Sequence, residues 1–381
     1  MAEVAGKSQS IARRSAVMSA ITVVSRITGF VRIAVMAAAL GATKAVAWNS
    51  AKAGLGDSYN LSNIIPNIIF DLLVGGILYS LFVPIIVEKM SSSDDDEVWH
   101  VASSMMNVTA AFTLFVSVLG FIFAGPVIRL MTGSGSASNP ALAIWMFRFF
   151  TWQIFFYGLC AVFAGILNAH RHFTAPVLSP LANNIIVIAT GIVYMAVAPK
   201  NLILALYILG IGTTVGVVSM AAVQVPSLFK IGMRYKFAFD INLPSIRKLG
   251  KLAVPILLYS TFGQIGLWAT NRIAWQYQGG VTGFQYAWQF FQLPFGIFAV
   301  SIITAIFPEL SEQASSGDMN SYKRTVSLGM RSLGIIMIPL SVLMILFAKP
   351  VIQVALERGN FDPAATSITS GMLLFFAFGV Y

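Results

Sequence analysis

Long apolar segments separated by short polar loops recur along the whole of this chain, and the first of them carries two arginines, Arg26 and Arg32. A hydrocarbon core about 30 Å thick needs roughly 20 apolar residues per crossing helix, so such segments confine the chain to a helical membrane fold. A guanidinium inside lipid costs at least about 2.5 kcal/mol and is normally kept facing a water-filled cavity, where it meets an anion. A span with internal cations therefore points to transport of a negatively charged substrate.

Composition agrees. The chain is 57% hydrophobic and only 10% charged, against about 25% charged residues in soluble domains, which makes it an all-α polytopic membrane protein. The formal net charge of +10 does not indicate nucleic acid, because the basic residues fall in loops between spans and act as topology determinants. One cysteine, Cys160, lies in an apolar segment, so no disulfide framework is available. The polar stretch Met1 to Arg14 leads into a segment too long for a signal h-region, and the first span is expected to be retained. His100, His170 and His172 lack metal-ligand spacing, and no P-loop, nucleophile elbow or zinc motif occurs. No metal site and no enzymatic activity are expected.

The spans read as 15–41, 58–87, 98–131, 141–167, 176–198, 202–228, 249–277, 282–307 and 325–348, with a tenth starting near Ala364 and still running at Tyr381. The sequence is thus expected to be an N-terminal portion of something larger. Residues 1–14 form a tail, 15–228 a first six-helix lobe, 229–248 a basic inter-lobe loop and 249–381 an incomplete second lobe. One set of alternating loops is rich in Lys and Arg, including Arg13, Arg14, Lys89, Arg171, Lys230, Arg234, Lys236, Arg247 and Lys248. The opposite set has fewer, including Lys44, Lys52, Arg129 and Arg358. By the positive-inside rule the N-terminus faces the cytoplasm. The tryptophans and tyrosines near span ends, such as Trp99, Trp145, Trp152 and Tyr207, suit an interfacial belt. Gly75, Gly76 and Gly165 suit close helix approach.

An internal repeat is visible. The second span places Pro66 and Pro84 around a glycine-containing apolar stretch followed by Glu88, and the eighth places Pro294 and Pro308 around a similar stretch followed by Glu309. Each follows a span with internal polar residues, Arg26 and Arg32 in the first, Gln264, Asn271 and Arg272 in the seventh. Repeated bundles around a midplane cavity are a common transporter plan.

Four stretches then carry a resemblance: SRITGFVR (Ser25 to Arg32), NIIPNIIFDLLVGGILYSLFVPIIVE (Asn63 to Glu88), GILNAHRHFTAPVLSPLANN (Gly165 to Asn184) and QLPFGIFAVSIITAIFPELSEQASSGD (Gln292 to Asp318). In this order they resemble the MurJ/MviN family of lipid II flippases, within the superfamily of multidrug, oligosaccharidyl-lipid and polysaccharide exporters, and the similarity covers essentially the whole chain. The resemblance implies fourteen helices in the complete protein, two six-helix lobes around a central cavity plus two helices forming a lipid-tail groove, with about nine and a half helices present here. It implies transfer of lipid II, the undecaprenyl-diphosphate-linked disaccharide pentapeptide, from the inner to the outer leaflet of the bacterial cytoplasmic membrane. It also implies contact with membrane lipid and with proteins of wall synthesis and division, no cofactor, and coupling to membrane potential or to a sodium ion.

Carried over residue by residue, Arg26 and Arg32 match the family's two first-helix arginines. Six positions apart, not quite two turns, both are expected to face one cavity, somewhat offset. Arginine matches phosphate oxygens with bidentate, charge-assisted bonds, so these two are the candidates for the diphosphate; snorkelling to an interface is the structural alternative. Asp57 matches an acidic position at the start of the second helix, where capping that helix is equally in view, and Asn67 follows the matching Pro66. Here the chain departs from the family, with Phe70 and Asp71 in place of an arginine pair and Ala287 to Phe290 in place of an eighth-helix arginine. Arg148 or Arg272 is expected to supply the missing charge, Arg272 foremost, or Gln289 and Gln292 to bind by hydrogen bonding. Asp71 is expected to pair with an arginine or to act in ion coupling. A polysaccharide-lipid flippase, a drug or cation antiporter, and a scaffold of wall synthesis using the acidic loop Ser91 to Glu97 stand as alternative functions.

Overall fold

The computed structural model describes residues 2–48, 51–73, 82–92, 94–133, 139–240 and 263–379, with isolated positions 251, 255 and 258. Gly75, Gly76, Arg247, Lys248 and Tyr381 lie outside the described residues. The first half comprises α1 (Ala2–Leu40), the strands β1 (Ala45–Trp48) and β2 (Ala51–Gly54), α2 (Leu55–Asp71), α3 (Val83–Ser92), α4 (Asp95–Ile122), α5 (Ala124–Thr132), α6 (Ala141–Ala169), α7 (Thr174–Val197), α8 (Leu202–Ala222) and the short α9 (Val225–Lys230). The second half comprises α10 over 263–274, α11 (Gly280–Pro294), a π-helical turn (Phe295–Ala299), α12 (Val300–Ser315), α13 (Met319–Leu356) and α14 (Pro363–Ala377). Among the described residues, six helices are long and apolar enough to cross a membrane, or seven if the bent pair 280–315 is taken as one span.

The N-terminal helix does not begin at the expected end of a polar tail. It runs continuously from Ala2 to Leu40 and stops at Gly41, whose φ of 64° is left-handed. That conformation costs glycine nothing, and the absence of a side chain also lets the carbonyl of Asn360 approach. Two further differences have local causes. The segment expected as one span over 98–131 is broken at Phe123 (φ −92°, ψ 18°). Pro126 lies three residues on; proline lacks the N–H that the carbonyl of Ile122 would accept, and its ring clashes with that carbonyl. The polar connection after α1 is an antiparallel hairpin with Ala45 opposite Gly54 and Trp48 opposite Ala51.

The repeat suggested by the paired prolines has a structural counterpart: π-helical residues occur at Leu72, Leu73 and Phe82 in the second span and over Phe295–Ala299 in the eighth. Such turns insert an extra residue into the helix and concentrate at functional positions.

Two apolar clusters join the halves, both at the hairpin end. In one, Ala37 and Ala42 pack with Tyr286, Phe290, Ile352, Leu356 and Phe361. In the other, Leu61, Ile64, Ile128 and Phe147 pack with Trp275 and Val281. At the opposite end the chain leaving α9 runs extended along α4: Asn107 Nδ2 donates to the Ala238 carbonyl at 2.8 Å, and Lys236 and Asp240 N–H donate to the hydroxyls of Ser103 and Ser104. Arg234 and Lys236 also pair with Asp96 at 3.5 and 3.0 Å. The acidic loop proposed as a partner surface is therefore engaged by the chain's own cations. Trp99, expected at an interface, is buried and stacks on His170 with centroids 5.2 Å apart.

Packing of α4 on α6 depends on Gly158, where a Cβ would stand 2.6 Å from both Cγ2 and Oγ1 of Thr113. Gly158→Leu is expected to cost about 1–3 kcal/mol by overpacking and to lower the midpoint of thermal unfolding in detergent. An unchanged midpoint would contradict this packing.

Candidate functional site

A cavity of about 240 Å³ lies between the halves. From α1 it takes Arg32 and Met36. From α2 it takes Asn60, Asn63, Asn67 and Asp71, a stripe at spacings of three and four residues that presents one helix face. Gln153 and Tyr157 come from α6, Asn183 from α7 and Thr213 from α8, and the second half contributes Gln285, Tyr286, Trp288 and Gln289 of α11. The polar wall is knitted together: Gln153 Nε2 donates to Asn63 Oδ1 at 3.4 Å, the Tyr157 hydroxyl to Asn67 Oδ1 at 3.2 Å, and the Tyr59 and Thr213 hydroxyls lie 3.2 Å apart. Arg32 has no carboxylate within 4.0 Å among the described residues; the ion pairs there are Lys89–Glu97, Arg234–Asp96 and Lys236–Asp96.

Arg26 does not share this cavity. Six residues advance a helix by about 9 Å and turn it by about 240° net of one revolution, and Arg26 instead lines a larger vestibule of about 990 Å³ at the N-terminal end of the bundle. Thr22, Ser25, Phe70, Val87, Arg171 and Gln224 also line it. Phe70, on the vestibule side, packs at a tilt against Tyr157, on the cavity side, with centroids 4.5 Å apart. The Arg26 guanidinium approaches the position a Cβ would take at Gly296 within 3.7 Å. The first helix therefore meets the π-helical turn of the eighth span at this arginine, and Phe30 meets Phe290 nearby with centroids 5.8 Å apart.

Asp57 is neither in the cavity nor a cap for its own helix. The N-cap of α2 is Gly54, with no side-chain cap hydrogen bond. The Asp57 carboxylate, 1% exposed, crosses to the other half. It accepts the N–H of Gly279 at 2.8 Å, the N–H of Thr282 at 2.9 Å and the hydroxyl of Thr282 at 2.8 Å. It caps the N-terminus of α11 in trans, satisfying free N–H groups and facing the positive end of the helix dipole. Around it Lys44 Nζ donates to Asn360 Oδ1 at 2.8 Å, Thr43 to Asp362 at 2.8 Å, and the Asn360 N–H to the Ala38 carbonyl at 2.8 Å. Partial burial of Lys44 pulls its ammonium below the ordinary lysine value.

Among the remaining expected site residues, Asn67 and Gln289 line the cavity, whereas Gln292 and Arg272 do not. Arg272 sits over the Trp268 ring at 5.5 Å and donates to the Leu130 carbonyl at 3.2 Å. The end of α5 presents unsatisfied carbonyls and the negative end of a dipole, and these draw the guanidinium away from the cavity. Arg148 lies 5.8 Å over the Phe121 ring, outside the cavity. Sequence reasoning missed the amides Asn60, Asn63, Gln153, Asn183 and Gln285; the polar spacing along α2 is the signal that identifies part of this set.

Residues 51–381 match the family described as lipid II flippase MurJ. The chain belongs to that family. Its members are transporters of lipid, not enzymes. A probable lipid II flippase MurJ of Buchnera aphidicola is 27% identical over 368 residues, covering 95% of this chain and 69% of the relative. The lipid II flippase MurJ of Burkholderia cenocepacia is 25% identical over 370 residues, with 95% and 69% covered. A lipid II flippase MurJ solved in an inward closed conformation superposes with a TM-score of 0.76 at 24% identity, covering 96% of this chain and 72% of that one. A multidrug resistance MATE family transporter of the MOP superfamily, solved facing inward, gives 0.66 at 14% identity, with 93% and 79% covered. The all-α architecture around a central cavity is thus the fold of this family.

Removing the Asp57 carboxylate strands two backbone donors, and charge-assisted hydrogen bonds contribute about 1.5–3 kcal/mol each. Asp57→Ala is expected to open the hairpin end at least about tenfold more often. In a Cys160→Ala background, a cysteine at Asn60 should then react correspondingly faster with a membrane-impermeant thiol reagent applied from the hairpin side. An unchanged rate would show that the apolar clusters hold this end closed without the carboxylate.

Proposed function

We propose that this protein transfers lipid II from the cytoplasmic to the outer leaflet by alternating access, with Arg26 and then Arg32 receiving the diphosphate. The observation that carries this reading is Arg32: a permanent cation in a closed-ended polar cavity, without a carboxylate partner among the described residues. A permanent charge in such a place is complete when a ligand supplies the anion.

In this reading the N-terminus is cytoplasmic and the vestibule opens inward, toward the leaflet from which the substrate comes. The diphosphate enters past Arg26 at the seam between α1 and the π-helical turn, where the lipid tail can stay in the membrane while the polar headgroup moves through the bundle. It passes the Phe70–Tyr157 ring pair and reaches Arg32, where the amides of α2 and α11 offer donors and acceptors to sugar and peptide. Release to the outer leaflet requires the hairpin end to open, which means undoing the Asp57 cap and parting the two apolar clusters. Membrane potential or a sodium gradient supplies the drive. The multidrug-transporter reading is less well supported, because a cavity built for an organic cation would not centre on an arginine.

The test is restoration of outer-leaflet lipid II in bacteria depleted of their own flippase, read by cleavage with an externally added toxin. The protein is expected to restore exposure, Arg32→Ala to reduce it about tenfold or more through loss of charge-assisted bonds, and Arg32→Lys to retain part of it. Full exposure with Arg32→Ala would overturn the assignment of the diphosphate.

A further inference from the structure

The cavity holds a second ionisable side chain that the diphosphate does not explain. Asp71 ends the polar stripe of α2 and lines the same cavity as Arg32. It has no hydrogen bond and no ion pair to any other described residue. Arg32 and Asp71 therefore face one space with opposite charges and are not paired with each other within 4.0 Å. Asp71 is exposed toward this space and Arg32 is half-buried in it, so both charges are open to a ligand that enters the cavity. Both are satisfied together by a ligand that brings an anion to one and a cation to the other.

The surroundings of Asp71 favour an organic ammonium. An ammonium has three donors and no acceptor; Asp71 supplies two carboxylate oxygens, and Asn67, one turn earlier, and Gln289 of α11 add amide oxygens to the lining of the same cavity. Trp288 and Phe284 also line the cavity, and aromatic faces attract ammonium groups. From Asn60 to Asp71 the stripe extends roughly 16 Å at 1.5 Å per residue, longer than a diphosphate and suited to an extended peptide headgroup. We infer that Asp71 is a specificity residue that binds a primary ammonium on the peptide of the transported lipid, as a diamino-acid side chain presents, while Arg32 holds the diphosphate. This rests on the flippase reading, which supplies the peptide.

The test is equilibrium binding to the purified protein in lipid nanodiscs, with two probes: lipid II whose peptide carries a free side-chain amine, and the same molecule with that amine acetylated. The protein is expected to bind the free amine at least tenfold more tightly. Asp71→Asn should bind both forms alike, at the level of the acetylated one, and Asp71→Glu should keep the preference. Equal binding of both probes by the unaltered protein would overturn the inference and leave the flippase reading standing. So would equal weakening of both by Asp71→Asn, which would assign the carboxylate to ion coupling. Binding of neither probe would overturn the flippase reading and the inference with it.

Discussion

A buried carboxylate ties the two halves of this protein together at the end that two apolar clusters also close. Asp57 comes from α2 of the first half, and every acceptor contact it makes is to Gly279 or Thr282 at the start of α11 in the second. An ionised group at 1% exposure is tolerable because it meets the positive end of a helix and three directed donors. The arrangement is also conditional: it exists when α2 and α11 abut, and once they separate both the carboxylate and the N–H groups can be hydrated. A contact of this kind suits a gate better than a static joint, since water can replace it when the gate opens.

The remaining architecture is arranged around that closure. The clusters centred on Phe290 and Phe361 and on Phe147 and Trp275 seal the hairpin end on either side of Asp57, while the vestibule occupies the other end. Between them the cavity wall comes mostly from the first half, with α11 as the main contribution from the second. The helix that bears the gate at its start thus bears Gln285 and Gln289 one to two turns later, then bends at the π-helical turn beside Arg26. In the proposed cycle this one element would connect gate, cavity and entry seam, and so would give substrate binding a direct mechanical route to the gate. The strap of residues 233–240 along α4 fixes the start of the inter-lobe connection to the first half.

Much of this was legible in the sequence, and the limits were physical. Hydropathy located the spans because lipid leaves the backbone no alternative to helix, and the paired prolines pointed to the two related spans that carry π-helical turns. Arg32 could be singled out as an ionised residue at membrane depth. Local signals exist for two further features: Gly125–Pro126 for the break after Phe123, and the turn-favouring pair Asn49–Ser50 in the sequence for the hairpin. The destination of a long side chain was not legible. Asp57 reads as a cap for α2 because sequence shows only near neighbours, and its real partners are more than two hundred residues away. Arg272 reads as a cavity cation until the carbonyl end of α5 is seen beside it. The 120° offset between Arg26 and Arg32 is computable from helix geometry, but that it separates two compartments depends on how α6 and α7 pack.

In the proposed mechanism the hairpin end and the vestibule end open in alternation about one binding cavity. Double electron–electron resonance tests it directly, with one pair of spin labels at Thr43 and Arg358 across the hairpin end and another at Met90 and Ser316 across the opposite end. A short hairpin-end distance with a long opposite-end distance is expected in the resting protein, and a second population with both distances reversed when lipid II is supplied. Distances at the two ends that lengthen together, or a hairpin end that never opens, would contradict it.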